Sequence, residues 1–257
     1  MADLEHILAL PPDRLRQASG FPLTLAHMAY RMGSGPHLFR SGPQIPLRDG
    51  LMFLDDRGFS GGGTPDAFCR EVAAECDARK FSGVICDLES HRSPLYPTLL
   101  PRLEELCLRK NLTLYVPEVL GSCCKTARVL ISSALSGGSL DQRLREAVRR
   151  WGVERTVLAI ERVSMDFSLP SPTGQGTELS REELTRLFKL RSPAVFFSVD
   201  LCAHYFTYTD RTKGTHFILF DDAASIRKKI QTAKDLGLPA VLMAYPQVDD
   251  LLDRILK

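Results

Sequence analysis

Two acidic side chains, Asp87 and Glu89, stand two positions apart at the end of a short apolar run, residues 83–89. Such a run is typical of a buried strand, and residues two apart on a strand project to the same face. Two carboxyl groups that converge on one site repel each other, which raises the pKa of one of them and keeps it protonated. The spacing therefore predicts a general acid with a carboxylate beside it, although two solvated charges at a strand end fit the same residues.

Further acidic residues follow other apolar runs. They are Asp55, Asp56, Glu118, Glu161 and Asp200. In a closed barrel of parallel strands the carboxyl ends of all strands meet at one mouth, where the chemistry takes place. Glu118 and Glu161 either line that mouth or point away from it, and the sequence does not choose between the two.

Short apolar runs alternate with amphipathic segments along most of the chain. The runs cover residues 23–30, 51–55, 83–89, 112–119, 129–134, 156–163, 194–199 and 240–245. Most are apolar throughout, as is typical of parallel strands buried on both faces. Helices are predicted between them from capping signals such as Ser139-x-x-Gln142 and Ser180-x-x-Glu183. Repeated strand–helix units in 257 residues predict an α/β fold, a (β/α)8 TIM-type barrel, with a doubly wound open sheet as the alternative.

Two regions depart from this alternation. Residues 164–177 are rich in Ser, Pro and Gly and are expected to leave the barrel rim as an irregular excursion. Residues 194–209 and 215–220 resemble two strands of a hairpin. We therefore expect a single barrel domain over residues 1–257 with a small α+β element inserted at residues 164–222. Because residues 1–50 offer one clear strand, an early strand is expected to be missing or irregular.

Two stretches carry a resemblance to a known family. Residues 81–89 resemble the catalytic strand of family 18 glycoside hydrolases, the chitinase-like enzymes, at Phe81, Gly83, Val84, Asp87 and Glu89. A second stretch is similar to the approach to that family's last strand, at His216, Phe220, Asp221, Asp222, Ser225, Ile226 and Lys229. The similarity is greatest to the branch of spore-cortex and spore-germination glycosidases. It spans residues 51–245 and implies the same barrel.

The resemblance also implies a mechanism and a class of substrate. Glu89 would protonate the glycosidic oxygen of a glycan that contains N-acetylglucosamine, such as a chitin or peptidoglycan fragment. The substrate's own acetamide carbonyl would attack the anomeric carbon in place of a protein nucleophile, and Asp87 would orient that acetamide.

The sugar pocket departs from the family pattern. Ser82 and Ile85 stand where the family has acidic or amide residues, residues 130–134 lack its Tyr and Asp, and Ala244 replaces its floor Trp. The predicted substrate-binding residues are Asp55, Glu118, Ser132, Glu161 and Tyr245. The departures keep a second hypothesis open, a catalytically inactive family 18-like barrel that binds a glycan or a protein partner. A third is a different hydrolase with Glu118 or Glu161 as its second carboxylate.

Composition narrows the choice of partners. The 33 basic and 31 acidic residues give a net charge of +2, so neither nucleic acid nor an anionic membrane surface is expected. No apolar run approaches the roughly 18 residues that span a bilayer. Residues 1–6 lack the pattern of a secretory signal, which favours a cytoplasmic or spore compartment. The seven cysteines are interpreted as reduced thiols, and neither a metal nor a cofactor is predicted.

Overall fold

The computed structural model describes residues 3–18, 20–41, 46–59, 61, 63–88, 93–171, 174–210 and 214–257. In chain order the strands are β1 (Glu5–Leu10), β2 (Thr24–Gly33), β3 (His37–Arg40), β4 (Leu51–Asp55), β5 (Gly83–Asp87), β6 (Thr113–Pro117), β7 (Arg128–Ser132), β8 (Thr156–Ile160), β9 (Ser164–Leu169), β10 (Thr177–Glu178), β11 (Phe196–Ser198), β12 (Ala203–Asp210), β13 (Gly214–Phe220) and β14 (Ala240–Ala244). The α-helices are α1 (Leu15–Ala18), α2 (Pro65–Arg79), α3 (Tyr96–Arg109), α4 (Leu140–Trp151), α5 (Arg181–Arg191), α6 (Ala223–Asp235), α7 (Tyr245–Val248) and α8 (Leu252–Leu256). Short 3-10 helices cover Pro12–Arg14, Glu118–Cys123 and Val153–Arg155.

Eight parallel strands close into a barrel. They follow one another around the ring in the order β1, β14, β8, β7, β6, β5, β4 and β2, and β2 closes the ring by pairing with β1. The longer helices pack outside this ring, so the predicted (β/α)8 barrel is confirmed. None of the helices among the described residues is long and apolar enough to cross a membrane.

The early strand that the sequence left unassigned is β1. Glu5 and His6 begin it, so only four apolar residues follow, too few to stand out as a strand signal. The strand pairs with β14 on one side and β2 on the other, and its last four residues are buried. With β1 present, β5 becomes the fourth barrel strand.

Alternate side chains of the barrel strands fill the interior of the ring. The apolar members of this set are Ile7, Ala9, Ala26, Leu51, Phe53, Ile85, Tyr115, Val157, Ala240 and Leu242. The side chains between them point outwards and form a larger core with the helices. This alternation settles which residues at the carboxyl end of each strand turn towards the mouth.

A polar cluster occupies the opposite end of the interior. Glu5 accepts a hydrogen bond from Thr24 at 2.8 Å and pairs with Arg128 at 3.4 Å. Arg128 also donates to the hydroxyl of Tyr115 at 2.9 Å. The two partly buried charges of this cluster, Glu5 and Arg128, therefore pair with each other.

A β-bulge interrupts β2 and reverses the direction of its later side chains. Met28 pairs with Phe53, but the next pairs are Tyr30 with Leu54 and Arg31 with Asp55. One extra residue thus lies in β2, so Tyr30 turns outwards and donates to Glu75 at 2.9 Å. Arg31 turns instead to the face that carries Asp55.

Residues 164–220 form a second, five-stranded antiparallel sheet in the order β10, β9, β13, β12, β11. Helix α5 covers one face of this sheet through Leu184, Leu187 and Phe188. Val163, Phe167, Ala203 and Leu219 form a small apolar cluster on the other face. This element lies within the residue range for which an α+β insertion is predicted.

Two details of the inserted element differ from the sequence expectation. The excursion expected at residues 164–177 contains β9, whose pairing with β13 organises its polar residues as a strand. Residues 194–209 are not one strand, because Cys202 adopts a left-handed backbone (φ 50°) in the turn that separates β11 from β12. The hairpin of β12 and β13 is confirmed, and its turn at residues 211–213 lies outside the described residues.

A buried charged pair fixes the place where the inserted element joins the barrel. Asp221 donates its backbone N–H to the carbonyl of Val163 at 2.8 Å, and its carboxylate accepts from the N–H of Val163 at 2.9 Å. Lys229 donates to the same carboxylate at 2.6 Å, and Ser225 donates to its other oxygen at 2.7 Å. We call these four residues the junction cluster. Asp221, Ser225 and Lys229 of this cluster belong to the second stretch that carries the family resemblance.

Candidate active site

The candidate site is the barrel mouth, formed by the carboxyl ends of the eight barrel strands. Strand alternation turns Asp55, Asp87 and Ser132 inwards there, above Phe53, Ile85 and Leu130 of the interior. Asp55 and Asp87 occupy paired positions on the adjacent strands β4 and β5. The mouth therefore holds two carboxyl groups side by side on neighbouring strands.

Asp87 ends β5 and is half-buried. Ile85, one inward position below it, is fully buried in the barrel interior. Asp87 therefore has a fully apolar side chain beneath it on its own strand. Glu89, the predicted general acid, lies outside the described residues, as does His91.

Asp55 is held by two arginines. Its Oδ1 accepts from Nε of Arg31 at 3.0 Å and from the backbone N–H of Arg57 at 3.1 Å, and its Oδ2 accepts from Nη2 of Arg57 at 2.9 Å. Burial disfavours the charged carboxylate, but the hydrogen bonds and charges of the arginines outweigh it and lower the pKa of Asp55. Asp55 is therefore an anchor for the arginines and unsuited to donate a proton at neutral pH.

Asp56 points away from the mouth into the outer core. Its carboxylate accepts from the hydroxyl of Tyr96, at the start of α3, at 2.5 Å. Burial and this hydrogen bond to an anion raise the pKa of Tyr96 well above its ordinary value. This contact joins the segment after β4 to the helix after β5.

Glu118 forms an ion pair with Arg143 of α4. Both carboxylate oxygens are engaged, and Nη1 of Arg143 lies 3.2 Å from Oε1. Since Tyr115 and Pro117 take the inward direction on β6, the following residue turns towards the helix layer. This ion pair occupies one acceptor site on each oxygen of Glu118 and holds its carboxylate beside α4.

Glu161 lies in a cleft between the barrel rim and the inserted sheet. The cleft has a volume of about 520 Å³, and Met165, Phe167 and Leu219 of the inserted sheet line one side. Ser133 fixes the backbone of Glu161 by accepting its N–H at 3.0 Å, which leaves the exposed carboxylate at the cleft. Ser132 turns inwards nearby and accepts the N–H of Ala134 at 3.1 Å.

Tyr245 does not occupy the inward position at the end of β14. That position belongs to Ala244, two residues beyond the interior Leu242. Tyr245 begins α7 and packs against the outer core. A small side chain thus stands opposite Asp87 where the resemblance implies a Trp.

Sequence reasoning missed one wall of the mouth, the hairpin of β2 and β3. Arg31 pairs with Phe39 across this hairpin, so both side chains share the mouth-facing side. Phe39 is 54% exposed, and its ring covers Gly33, where an added Cβ would lie 2.3 Å from it. Strand alternation continued from residues 23–30 would place Arg31 outwards. The bulge reverses that direction, so no sequence signal identified this wall.

The potential metal ligands of the described residues are dispersed, and most of the thiols are buried. Among the described residues no three His, Cys, Asp or Glu side chains come together in a way that could hold a metal ion. The seven cysteines are free thiols, and all but Cys123 are buried. Burial raises the pKa of Cys69, Cys76, Cys107 and Cys124 to about 12, so these thiols stay protonated and unreactive.

The chain shares its fold with glycosidases of known structure. One similar structure is the spore cortex-lytic enzyme SleL of Bacillus megaterium, with a TM-score of 0.65 and 16% identity over 100% of this chain and 75% of that one. Another is a chitinase of Chromobacterium violaceum, with a TM-score of 0.68 and 15% identity over 98% of both chains. A third is a plant class V chitinase mutant of Cycas revoluta in complex with (GlcNAc)3, with a TM-score of 0.60 and 14% identity over 98% of both chains.

These likenesses define the class of fold. The chain has the barrel fold of these chitinases, which the spore cortex-lytic enzyme SleL also has. No family model matches the sequence, and no curated protein matches it either.

Proposed function

We propose that the protein is a glycosidase that cleaves N-acetylglucosamine-containing glycans by substrate-assisted acid catalysis. The observation that carries the proposal is the position of Asp87, inward at the mouth on the fourth strand of a chitinase-like barrel. The name of SleL, a spore cortex-lytic enzyme, supports a spore-cortex substrate and a spore compartment, and the (GlcNAc)3 complex supports an amino-sugar oligosaccharide as ligand.

In the proposed reaction Glu89 donates a proton to the glycosidic oxygen while the bond from that oxygen to the anomeric carbon breaks. The acetamide carbonyl oxygen of the same sugar bonds to the anomeric carbon, and Asp87 stabilises the positive charge that develops on the acetamide. Water then attacks the anomeric carbon and gives its proton to Glu89, while the bond between the acetamide oxygen and the anomeric carbon breaks and the acetamide is restored. Ser132, which turns inwards, and Glu161, at the cleft, are proposed as substrate-binding residues. Asp55 is proposed to act through the arginines that it holds. Substrate binding by Glu118 and Tyr245 stays a prediction.

The test compares carboxylates on one fluorogenic substrate, the 4-methylumbelliferyl glycoside of N,N′-diacetylchitobiose. We expect Glu89→Gln to lower kcat by about 10²–10⁴-fold, because it removes the transferable proton. Asp87→Asn should also lower kcat, because it removes the charge that stabilises the acetamide. The matched controls Glu105→Gln and Asp66→Asn change exposed residues of α3 and α2 and should keep the wild-type rate. Equal rates for Glu89→Gln and the wild type would overturn the assignment.

A second candidate is a barrel that binds a glycan without cleaving it. Ile85 below Asp87 and Ala244 opposite it favour this alternative, because neither side chain can form a hydrogen bond with Asp87 or with a sugar. It predicts that the wild type binds (GlcNAc)3 without releasing shorter sugars. Isothermal titration with chromatography of the products separates the two candidates.

A further inference from the structure

Arg31 is placed at the mouth by an irregularity of its strand. The bulge between Met28 and Tyr30 turns its side chain to the face of Asp55. Bulges re-aim side chains in this way beside functional sites. Neighbouring strands lie about 4.8 Å apart, so Arg31 on β2 is two strands, about 10 Å, from Asp87 on β5.

Asp55 holds Arg31 by one edge only. The hydrogen bond uses Nε, and among the described residues no partner takes the Nη1 and Nη2 donors of Arg31, whose side chain is 42% exposed. Those two donors form a planar fork that matches the two oxygens of a carboxylate. Asp55 thus fixes the guanidinium while its outer fork stays directed to solvent.

Positive charge is concentrated on the β2 and β4 side of the mouth. Two arginines, Arg31 and Arg57, surround the single carboxylate of Asp55, and its lowered pKa keeps that carboxylate ionised. These three groups together carry one positive charge, and Asp87 ends the next strand, β5, at the position paired with Asp55. Both arginine side chains remain partly exposed, at 42% and 60%, so a ligand can reach them.

Phe39 adds an apolar surface beside Arg31. Its exposed ring lies against Gly33 on the mouth-facing side of the β2–β3 hairpin. An exposed aromatic ring next to a cation is suited to a sugar ring that carries an acidic substituent, because the apolar face of the sugar packs on the ring while the acid meets the fork.

We infer that Arg31 and Phe39 form an anion-selective subsite that binds a carboxylate-bearing sugar next to the N-acetylglucosaminyl unit. This inference rests on the proposed function for the position of the cleaved bond. It assigns Arg31 as the residue that distinguishes an acidic glycan from a neutral one. Asp55 acts through Arg31 as its positioning residue.

The test measures binding by isothermal titration with three disaccharides on the full chain. They are N-acetylglucosaminyl-N-acetylmuramic acid, its methyl ester, and N,N′-diacetylchitobiose. Losing a hydrogen-bonded charge pair should weaken binding of the acid to Arg31→Gln by about tenfold or more, with little change for the ester. Arg31→Lys keeps the charge without the fork, so its affinity for the acid should lie between those of the wild type and Arg31→Gln. Phe39→Ala should weaken all three ligands alike.

The control variant Arg145→Gln removes a comparably exposed arginine that pairs with Asp141 on α4. It should bind all three ligands as the wild type does, and urea unfolding of every variant shows which ones are folded. Equal affinity of the wild type for the acid and the ester would overturn the inference, as would an equal loss for all ligands in Arg31→Gln.

Binding preference tests the subsite, and cleavage of the same disaccharides tests the glycosidase, so the two proposals can fail separately. Preference for the acid without cleavage of any disaccharide supports the subsite and contradicts the glycosidase. Cleavage with no preference for the acid supports the glycosidase and contradicts the subsite. No binding of any of the three ligands contradicts both.

Discussion

Asp55 and Asp87 end adjacent strands at paired positions, yet their surroundings give them different chemistry. Asp55 accepts hydrogen bonds from two arginines, whereas Asp87 stands above the fully buried Ile85. Cations favour the ionised form of a carboxyl group. The environment of Asp55 therefore makes it a fixed anion, and proton donation in the proposed mechanism is left to Glu89.

Removal of the Asp55 charge tests this difference. Asp55→Asn leaves Arg31 and Arg57 without an anion, and we expect the free energy of unfolding at pH 7 to fall by about 1–3 kcal/mol in urea denaturation. The pKa of Asp55 is below 3.8 in the folded protein, so its contribution is complete above about pH 4 and is lost as the pH falls through the folded-state pKa. The gap between variant and wild type should therefore narrow below about pH 4.

Asp66→Asn is the matched control, because Asp66 forms an exposed pair with Arg102 and should cost only about 0–1 kcal/mol. A gap for Asp55→Asn that stays constant down to about pH 3 would assign the effect to packing instead of charge.

Among the individual residues of the mouth, only some could be predicted from the sequence. Asp87 follows from strand alternation and a run of apolar residues, and both survive in the structure. Arg31 could not be predicted, because one extra residue in β2 reverses the alternation and nothing in its sequence announces the bulge. The pairing of Glu118 with Arg143 joins residues 25 apart through a helix packing that local patterns do not encode.

Among the elements, α3 does more than cover the barrel. Glu104 on its buried face accepts backbone N–H groups from Lys125, Thr126 and Ala127, at 3.0, 2.7 and 2.8 Å. Burial opposes the charge of Glu104, but these donors outweigh it and lower its pKa. The helix thereby fixes the segment that leads into β7.

Glu104→Gln should destabilise the protein, because a neutral amide accepts fewer and weaker hydrogen bonds than the carboxylate. We expect a loss of about 1–3 kcal/mol at pH 7 in urea denaturation. Since the pKa is lowered in the folded state, the loss should be full above about pH 4.5 and diminish as the pH falls below it. Glu105→Gln, on the exposed side of the same helix, should leave stability nearly unchanged, and an equal loss for both variants would contradict this role.

Helix starts were the elements best predicted from sequence. The capping box predicted at Ser180 forms both of its reciprocal hydrogen bonds, since the signal is local to four residues. At Ser139 only one of the two bonds forms, because the side chain of Gln142 donates to Glu146 instead. Strand β9 was harder to predict, because its strand character depends on pairing with β13, fifty residues later. Short or polar strands such as β1 and β9 are formed by their neighbours and not by their own propensity.

At the scale of the whole molecule, the junction cluster joins the inserted sheet to the barrel. The side chains of Asp221 and Lys229 are fully buried, and the carboxylate also binds the backbone of Val163. Attraction between two such charges offsets their desolvation only while both are present. We propose that barrel and inserted sheet therefore form one domain over residues 1–257.

Lys229→Met tests this proposal, because it leaves the Asp221 carboxylate buried without its cation. We expect a loss of about 3–5 kcal/mol in the free energy of unfolding. The double variant Asp221→Asn/Lys229→Met should recover part of the loss, because no charge stays buried. Lys228→Met on the exposed side of α6 is the control. Differential scanning calorimetry should show one transition in the wild type, and two separate transitions would contradict a single domain.

The chain enters the inserted sheet at Val163 and leaves it at Asp221, and these two residues are hydrogen-bonded to each other. In topological terms the whole sheet is therefore a long loop closed at its base. The inserted sheet can change in length and sequence while Val241 and Leu158 stay paired in the adjacent barrel strands β14 and β8. Substitutions at Phe167 and Leu219 can therefore change the cleft wall while the strand pairing of the barrel stays the same.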